Sequence, residues 1–128
     1  LVGPQPQTEM LPEALLDRIF QLSPRVRYAA VRVGMQLWVR QREGIANASA
    51  AETDRFEELL VNPALLTLVT QRGAIDCGGA RYLLVRYGQC FQFVRAWADG
   101  HVSVALDPAA DVIGLAGQLD GLLEGMAS

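Results

Sequence analysis

The stretch from Arg81 to Leu106, RYLLVRYGQCFQFVRAWADGHVSVAL, decides the fold. It holds three runs rich in branched and aromatic residues: Arg81 to Tyr87, Gln89 to Trp97, and His101 to Leu106. Such side chains fit a pleated, half-buried surface. Gly88 separates the first two runs and Asp99-Gly100 the last two, and Asp-Gly is the strongest short hairpin signal. Val102, Val104 and Leu106 alternate with polar or small residues, as in a strand with one buried face. Phe91 and Phe93 share a face with Arg95 and Trp97. The stretch therefore reads as a three-stranded antiparallel meander.

Working outward, the segment before the meander reads as a long helix. Ser49-Ala50-Ala51-Glu52 has the form of a capping box, in which the serine and the glutamate each satisfy a backbone donor at the helix start. Phe56, Leu59 and Leu60 form an apolar stripe. Asn62-Pro63 is expected to kink or briefly break the helix, which resumes through Ala64 to Val69 and stops near Gly73. Upstream, Val26 to Val33 and Gln36 to Gln41 read as a hairpin around Gly34-Met35. A first helix is expected from about Met10 to Leu22, with Leu11, Leu15, Ile19 and Leu22 on one stripe and Pro12 in its first turn. Ser23-Pro24 ends it. After Asp107-Pro108 a last helix turns Val112, Leu115, Leu119 and Leu122 inward. The fold class is α+β, in the order α-β-β-α-β-β-β-α. Its five-stranded sheet is antiparallel, because tight turns join neighbouring strands, and its helices lie on both faces.

This order resembles the roadblock/dynein-light-chain family and its bacterial members, and more widely longin-like and profilin-like domains. The likeness runs from about Met10 to Leu123. It rests on the hairpin at Gly34, the long helix from Ser49, and the meander closed by a helix. The run Arg55-Phe56-Glu57-Glu58-Leu59-Leu60-Val61-Asn62-Pro63, followed by Arg72-Gly73, is similar to small bacterial roadblock-like proteins. The resemblance implies a non-enzymatic module that forms homodimers through its central helices and edge strands. It also implies a role as scaffold or regulator of a small GTPase. Residues 1–9 are expected as a flexible tail and residues 10–128 as a single roadblock-like domain.

The residues give their own argument for assembly. From Ala64 to Val69 the apolar positions cover half of the helix circumference or more, wider than one core-facing stripe needs. The strand from Arg81 to Tyr87 is apolar enough to pair with a second copy if it lies at an edge. Phe56, Leu59, Leu65, Leu66, Val69, Tyr82 and Leu84 are the expected dimer contacts. Deep burial within one copy is the competing account of the same apolar helix. A small-ligand sensory domain, with a pocket between sheet and helix, is the alternative function.

Composition narrows the chemistry. All 11 basic residues are arginine and the formal charge is -3. Without lysine there is no Schiff base and no lysine for a phosphate-binding loop, and an acidic domain is a poor nucleic-acid partner. No apolar run is long enough for membrane insertion. The opening LVGPQPQ lacks the charged start and apolar stretch of a signal peptide. Cys77 and Cys90 are placed too far apart for a bridge, and free thiols suit the cytoplasm. One histidine and no closely spaced cysteine pair argue against a metal site. His101 and Ser103, two apart on one strand with Asp99 and Asp107 nearby, lack a nucleophile elbow and the side-by-side geometry of a base and nucleophile. No catalytic residue and no cofactor are expected. Glu52, Asp54, Glu57 and Glu58 read as a solvated acidic patch favoured by the helix dipole. Arg32, Arg40, Arg42 and Arg55 are candidates for a basic contact surface toward an acidic partner, with scattered surface charge as the default reading. Trp38 and Trp97 are either core or interface anchors.

Overall fold

A computed structural model describes residues 6–45 and 48–126, with side chains from residue 11 onward. The elements run α1 (Pro6–Leu22), β1 (Val26–Val33), β2 (Gln36–Gln41), α2 (Ala51–Phe56), a π-helical turn (Glu57–Val61), α3 (Asn62–Asp76), β3 (Leu83–Arg86), β4 (Phe91–Trp97), β5 (Gly100–Leu106) and α4 (Val112–Met126). All four strand pairings are antiparallel, in the order β2-β1-β5-β4-β3. The expected α-β-β-α-β-β-β-α order and five-stranded sheet are present.

Strand alternation gives the sheet two different faces. One carries Ala29, Val31, Phe93, Trp97, Val102, Val104 and Leu106, and α1 and α4 cover it with Leu15, Leu16, Ile19, Leu115, Leu119 and Leu123 to form the apolar core. Trp97 belongs to this core and Trp38 packs half-buried against it. The other face carries Tyr28, Gln92, His101 and Ser103, all buried, and the helical segment from Ala51 to Asp76 lies over it. Its residues are smaller and more polar, so the two layers are held by different forces.

Several local readings are corrected. The first helix begins at Pro6, so residues 6–9, read as tail, are helical and Pro12 lies inside the helix; residues 1–5 lie outside the described residues. Ser49 does not cap α2. The capping position is Ala50 and no side chain bonds the helix end; the Ser49 hydroxyl donates instead to Asp54. Asn62-Pro63 does not break the helix. The backbone stays helical through Val61 and Asn62, and the N–H of Asn62 bonds the carbonyl of Glu57 five residues back. That wide turn carries the chain into Pro63, whose missing donor then costs no gap. Nor does the helix stop at Gly73. It runs to Asp76, and Gly73 is buried where the Gly79 carbonyl approaches, 2.6 Å from where a Cβ would stand.

The Gly34-Met35 turn is as expected, with Val33 opposite Gln36 and Gly34 at φ +59°. In the last hairpin the turn lies one residue earlier than Asp-Gly suggested. Trp97 pairs with Gly100, so the turn residues are Ala98 and Asp99, and Ala98 takes φ 51°. A left-handed alanine costs about 1–2 kcal/mol. Ala98→Gly is therefore expected to stabilise the domain by about 0.5 kcal/mol after glycine's own entropy cost. Ala98→Val is expected to destabilise it, because a β-branched residue is a worse fit to this region. Urea midpoints for the two variants check the opposite signs.

Candidate functional site

The helical segment from Ala51 to Asp76 is amphipathic the wrong way round for a helix lying on a sheet. Asp54, Glu58 and Asn62 recur every four residues, and all three are buried against the sheet. Phe56, Leu60, Ala64 and Leu68 recur at the same spacing and face away. Phe56 is 58%, Leu60 60% and Leu68 64% exposed, with Leu59 beside them and Ile75 near the helix end also uncovered. Residues four apart share a helix face, so one stripe is polar and enclosed and the other apolar and open.

The enclosed stripe centres on Glu58, whose side chain has no solvent exposure. Its carboxylate accepts from the Tyr28 hydroxyl at 2.8 Å, the Ser103 hydroxyl at 2.6 Å and the Asn62 amide at 3.0 Å. His101 Nε2 lies 2.7 Å from the remaining position. On the far side of the imidazole, Arg32 Nε donates to His101 Nδ1 at 3.1 Å. An acceptor at Nδ1 assigns the proton to Nε2, so the neutral ring donates to Glu58. A buried carboxylate is tolerated only when its oxygens are filled with donors, and here four groups do so. Burial pushes the Glu58 carboxyl up, but the bonds from His101, Ser103, Tyr28 and Asn62 outweigh it and hold the group below the usual carboxylate range. Burial and the nearby Glu58 charge push the Tyr28 phenol far up.

This arrangement clamps the helix to the sheet. Ser103 donates to Glu58 rather than to His101, and Glu58, His101 and Ser103 are wholly buried, so the pair does not have the form of a nucleophile and its base. Among the described residues no group of three or more His, Cys, Asp or Glu side chains could hold a metal ion, and no helix is long and apolar enough to cross a membrane.

The structure divides the expected dimer contacts. Phe56 and Leu59 are on the open stripe. Leu65, Leu66 and Val69 are half-buried along the helix. Tyr82 and Leu84 lie on the opposite sheet face, packed against the apolar core, and only the backbone of edge strand β3 remains there for pairing. The acidic patch is not one solvated surface, since Asp54 and Glu58 are buried while Glu52 is exposed. The four arginines do not form one surface either. Arg32 bonds His101, Arg40 pairs with Glu13 and Asp17 of α1, Arg42 bonds the carbonyls of Phe20, Ser23 and Val26, and Arg55 is exposed. Cys77 and Cys90 are both free thiols. The Glu58 cluster escaped the sequence reading. Its signal was the four-residue spacing of Asp54, Glu58 and Asn62 opposite the polar alternation of His101 and Ser103.

One hollow lies beside the cluster. Tyr28, Ala105 and Gln92 are neighbours across β1, β5 and β4. The small alanine between two long side chains leaves a cavity of about 160 Å³, roofed by Thr53, Asp54 and Glu57.

In sequence, no protein-family model and no curated protein matches the chain. In structure it is similar to a Roadblock/LC7 domain from Streptomyces avermitilis, at TM-score 0.61 and 17% identity over 88% of this chain and 91% of that one. It is also similar to the gliding protein MglB from Thermus thermophilus, at TM-score 0.64 and 16% identity over 99% and 95% of the two chains. An MglB with a tetrameric arrangement aligns at TM-score 0.59 and 14% identity over 98% and 96%. The fold is therefore that of Roadblock/LC7 domains, as the sequence resemblance implied.

Proposed function

We propose that this roadblock-fold chain is a non-enzymatic protein-interaction module that pairs with a second copy along its second helix, the continuous helical segment from Ala51 to Asp76, and scaffolds or regulates a small GTPase. The observation that carries the pairing is the inverted helix. Its polar stripe is used up inside the domain, while Phe56, Leu60 and Leu68 stay uncovered. Fully burying one such side chain is worth about 1.5–3 kcal/mol, and a two-fold interface uses each residue twice. Half-buried Leu65, Leu66 and Val69 would flank that contact, and β3, at the sheet edge, offers free backbone groups for joining two sheets. The tetrameric arrangement of one structural neighbour supports self-association in this fold. The GTPase role follows from the roadblock resemblance, and free thiols favour the cytoplasm as its setting.

Leu60→Arg tests the pairing without touching the core. Its side chain is open in the single chain, so the fold should survive with an unchanged circular dichroism spectrum. Placing two cations in a symmetric apolar contact should weaken association at least 100-fold, or about 3 kcal/mol, as read by sedimentation velocity. A variant that associates as tightly as the parent contradicts the assignment. For the partner, titrating the chain into a GTP-loaded small GTPase of the same organism should give saturable heat. No heat with any such GTPase contradicts that part.

A further inference from the structure

We propose that the cavity between Tyr28, Ala105, Gln92 and the start of the second helix is a binding site for a small organic cation, a protonated amine on a ring-sized body that also carries an oxygen acceptor. This goes beyond the pairing proposal and does not depend on it, because Phe56, Leu60 and Leu68 are not in its walls.

The size comes first. A cavity of about 160 Å³ is comparable to the apolar engineered cavity of about 150 Å³ that takes benzene. Ala105 forms the floor, and Ile45 and Tyr87 supply apolar wall. A flat six-membered ring fits those dimensions. The walls are partly polar, however, so the occupant needs matching polar ends.

Gln92 supplies the first polar requirement. The residue is only 3% exposed, and among the described residues its amide nitrogen has no hydrogen-bond partner. An enclosed donor with nothing to bond costs about 1–3 kcal/mol, and such exceptions call for a physical explanation. A ligand oxygen in the cavity removes the cost. Neighbouring Tyr28 does not serve: its hydroxyl donates to Glu58, and its oxygen does not accept from the Gln92 amide.

Glu57 supplies the second. It lines the same cavity, is half-buried, and among the described residues makes no ion pair. Burial first, then the charges of Glu58 and Asp54, raise its affinity for a proton. A ligand ammonium would offset all three. Asp54, the other carboxylate of the wall, already accepts from Ser49 and Gln41, so Glu57 is the group left for a cation. Arg27, also in the wall, donates to the Gln89 carbonyl. Two carboxylates against one guanidinium leave the wall net negative, and an organic anion is disfavoured.

Tyramine serves as the probe, compared with 4-ethylphenol, which lacks the amine, and phenethylamine, which lacks the hydroxyl. The chain of residues 1–128 is titrated by NMR, following Ala105 and Tyr87. Tyramine should bind saturably below about 10 mM, as expected for a ligand of about ten heavy atoms. Each comparison compound should bind at least about 10-fold more weakly, the effect of losing one charge-assisted or buried hydrogen bond. Glu57→Gln should erase the preference of tyramine over 4-ethylphenol, and Gln92→Leu the preference over phenethylamine. Either variant keeping both preferences overturns the assignment. So does 4-ethylphenol binding as well as tyramine, or the absence of saturation at Ala105.

Discussion

Replacing Glu58 by alanine is expected to destabilise the domain by about 3–5 kcal/mol, because it leaves several buried hydrogen-bond donors unpaired at about 1–3 kcal/mol each. The loss is larger than a cavity of that size would give, because Tyr28, Ser103, Asn62 and His101 all aim hydrogen-bonding groups at the departed carboxylate. Each then sits enclosed without its partner. A domain of this size has about 5–15 kcal/mol of stability in all, so the variant should melt far below the parent or fail to fold. Glu58→Gln is the gentler test. It keeps the shape and one acceptor oxygen, and it removes the charge. Its pH dependence carries a definite sign. The Glu58 carboxyl is held below its ordinary value in the folded chain, so the unfolded state binds its proton first as pH falls. The stabilisation is complete above the ordinary carboxylate range and fades as pH drops through the lower folded value. Urea midpoints taken between about pH 6 and pH 3 should fall more steeply for the parent than for Glu58→Gln. Parallel slopes would show that the carboxylate is not held charged.

Gly100→Ala is expected to cost about 3 kcal/mol or more, through backbone collision rather than lost contact. A Cβ at this position would stand 1.9 Å from the carbonyl oxygen of Arg32 and 2.6 Å from its carbonyl carbon. Those atoms belong to β1, which pairs with β5 from Val26 to Val33, and they cannot swing aside as a side chain would. The two central strands must part, and the Arg32–His101 bond parts with them. Gly88 provides the contrast. A Cβ there meets nothing within 4 Å, and its φ is not positive. Gly88→Ala should therefore change stability by less than about 0.5 kcal/mol. Similar urea midpoints for the two variants would contradict the geometry around Gly100.

Sequence reading succeeded where the signal is local. Gly34-Met35 turns the first hairpin because Gly34 needs a positive φ, and Val102, Val104 and Leu106 alternate because one face of β5 meets the apolar core. It failed where a residue's role depends on a distant element. Ser49 has the spacing of a cap, yet Asp54 competes for its hydroxyl. Gly100 looks like a turn glycine, but its reason for being glycine is the Arg32 carbonyl, far away in sequence. Glu58 looks like surface charge because helix starts favour acid; only the sheet reveals three of its four donors, on Tyr28, His101 and Ser103. Apolar density along the helix points alike to Phe56, Leu59, Leu65, Leu66 and Val69; the structure separates them, leaving Phe56 and Leu59 exposed with Leu60 and Leu68 while Leu65, Leu66 and Val69 are half-buried. A helix period shows which residues share a side. It does not show which side the sheet takes when a buried carboxylate cluster claims it. The cavity was legible only as a general place between sheet and helix, since Tyr28, Ala105 and Gln92 meet there only through strand register.

The central claim is that the apolar side of the second helix is covered by a second copy. Light scattering on the purified chain across a dilution series tests it most directly. The account predicts twice the chain mass of 13.9 kDa at micromolar concentration, falling to the single-chain mass only on strong dilution. A constant single-chain mass at every concentration would contradict it.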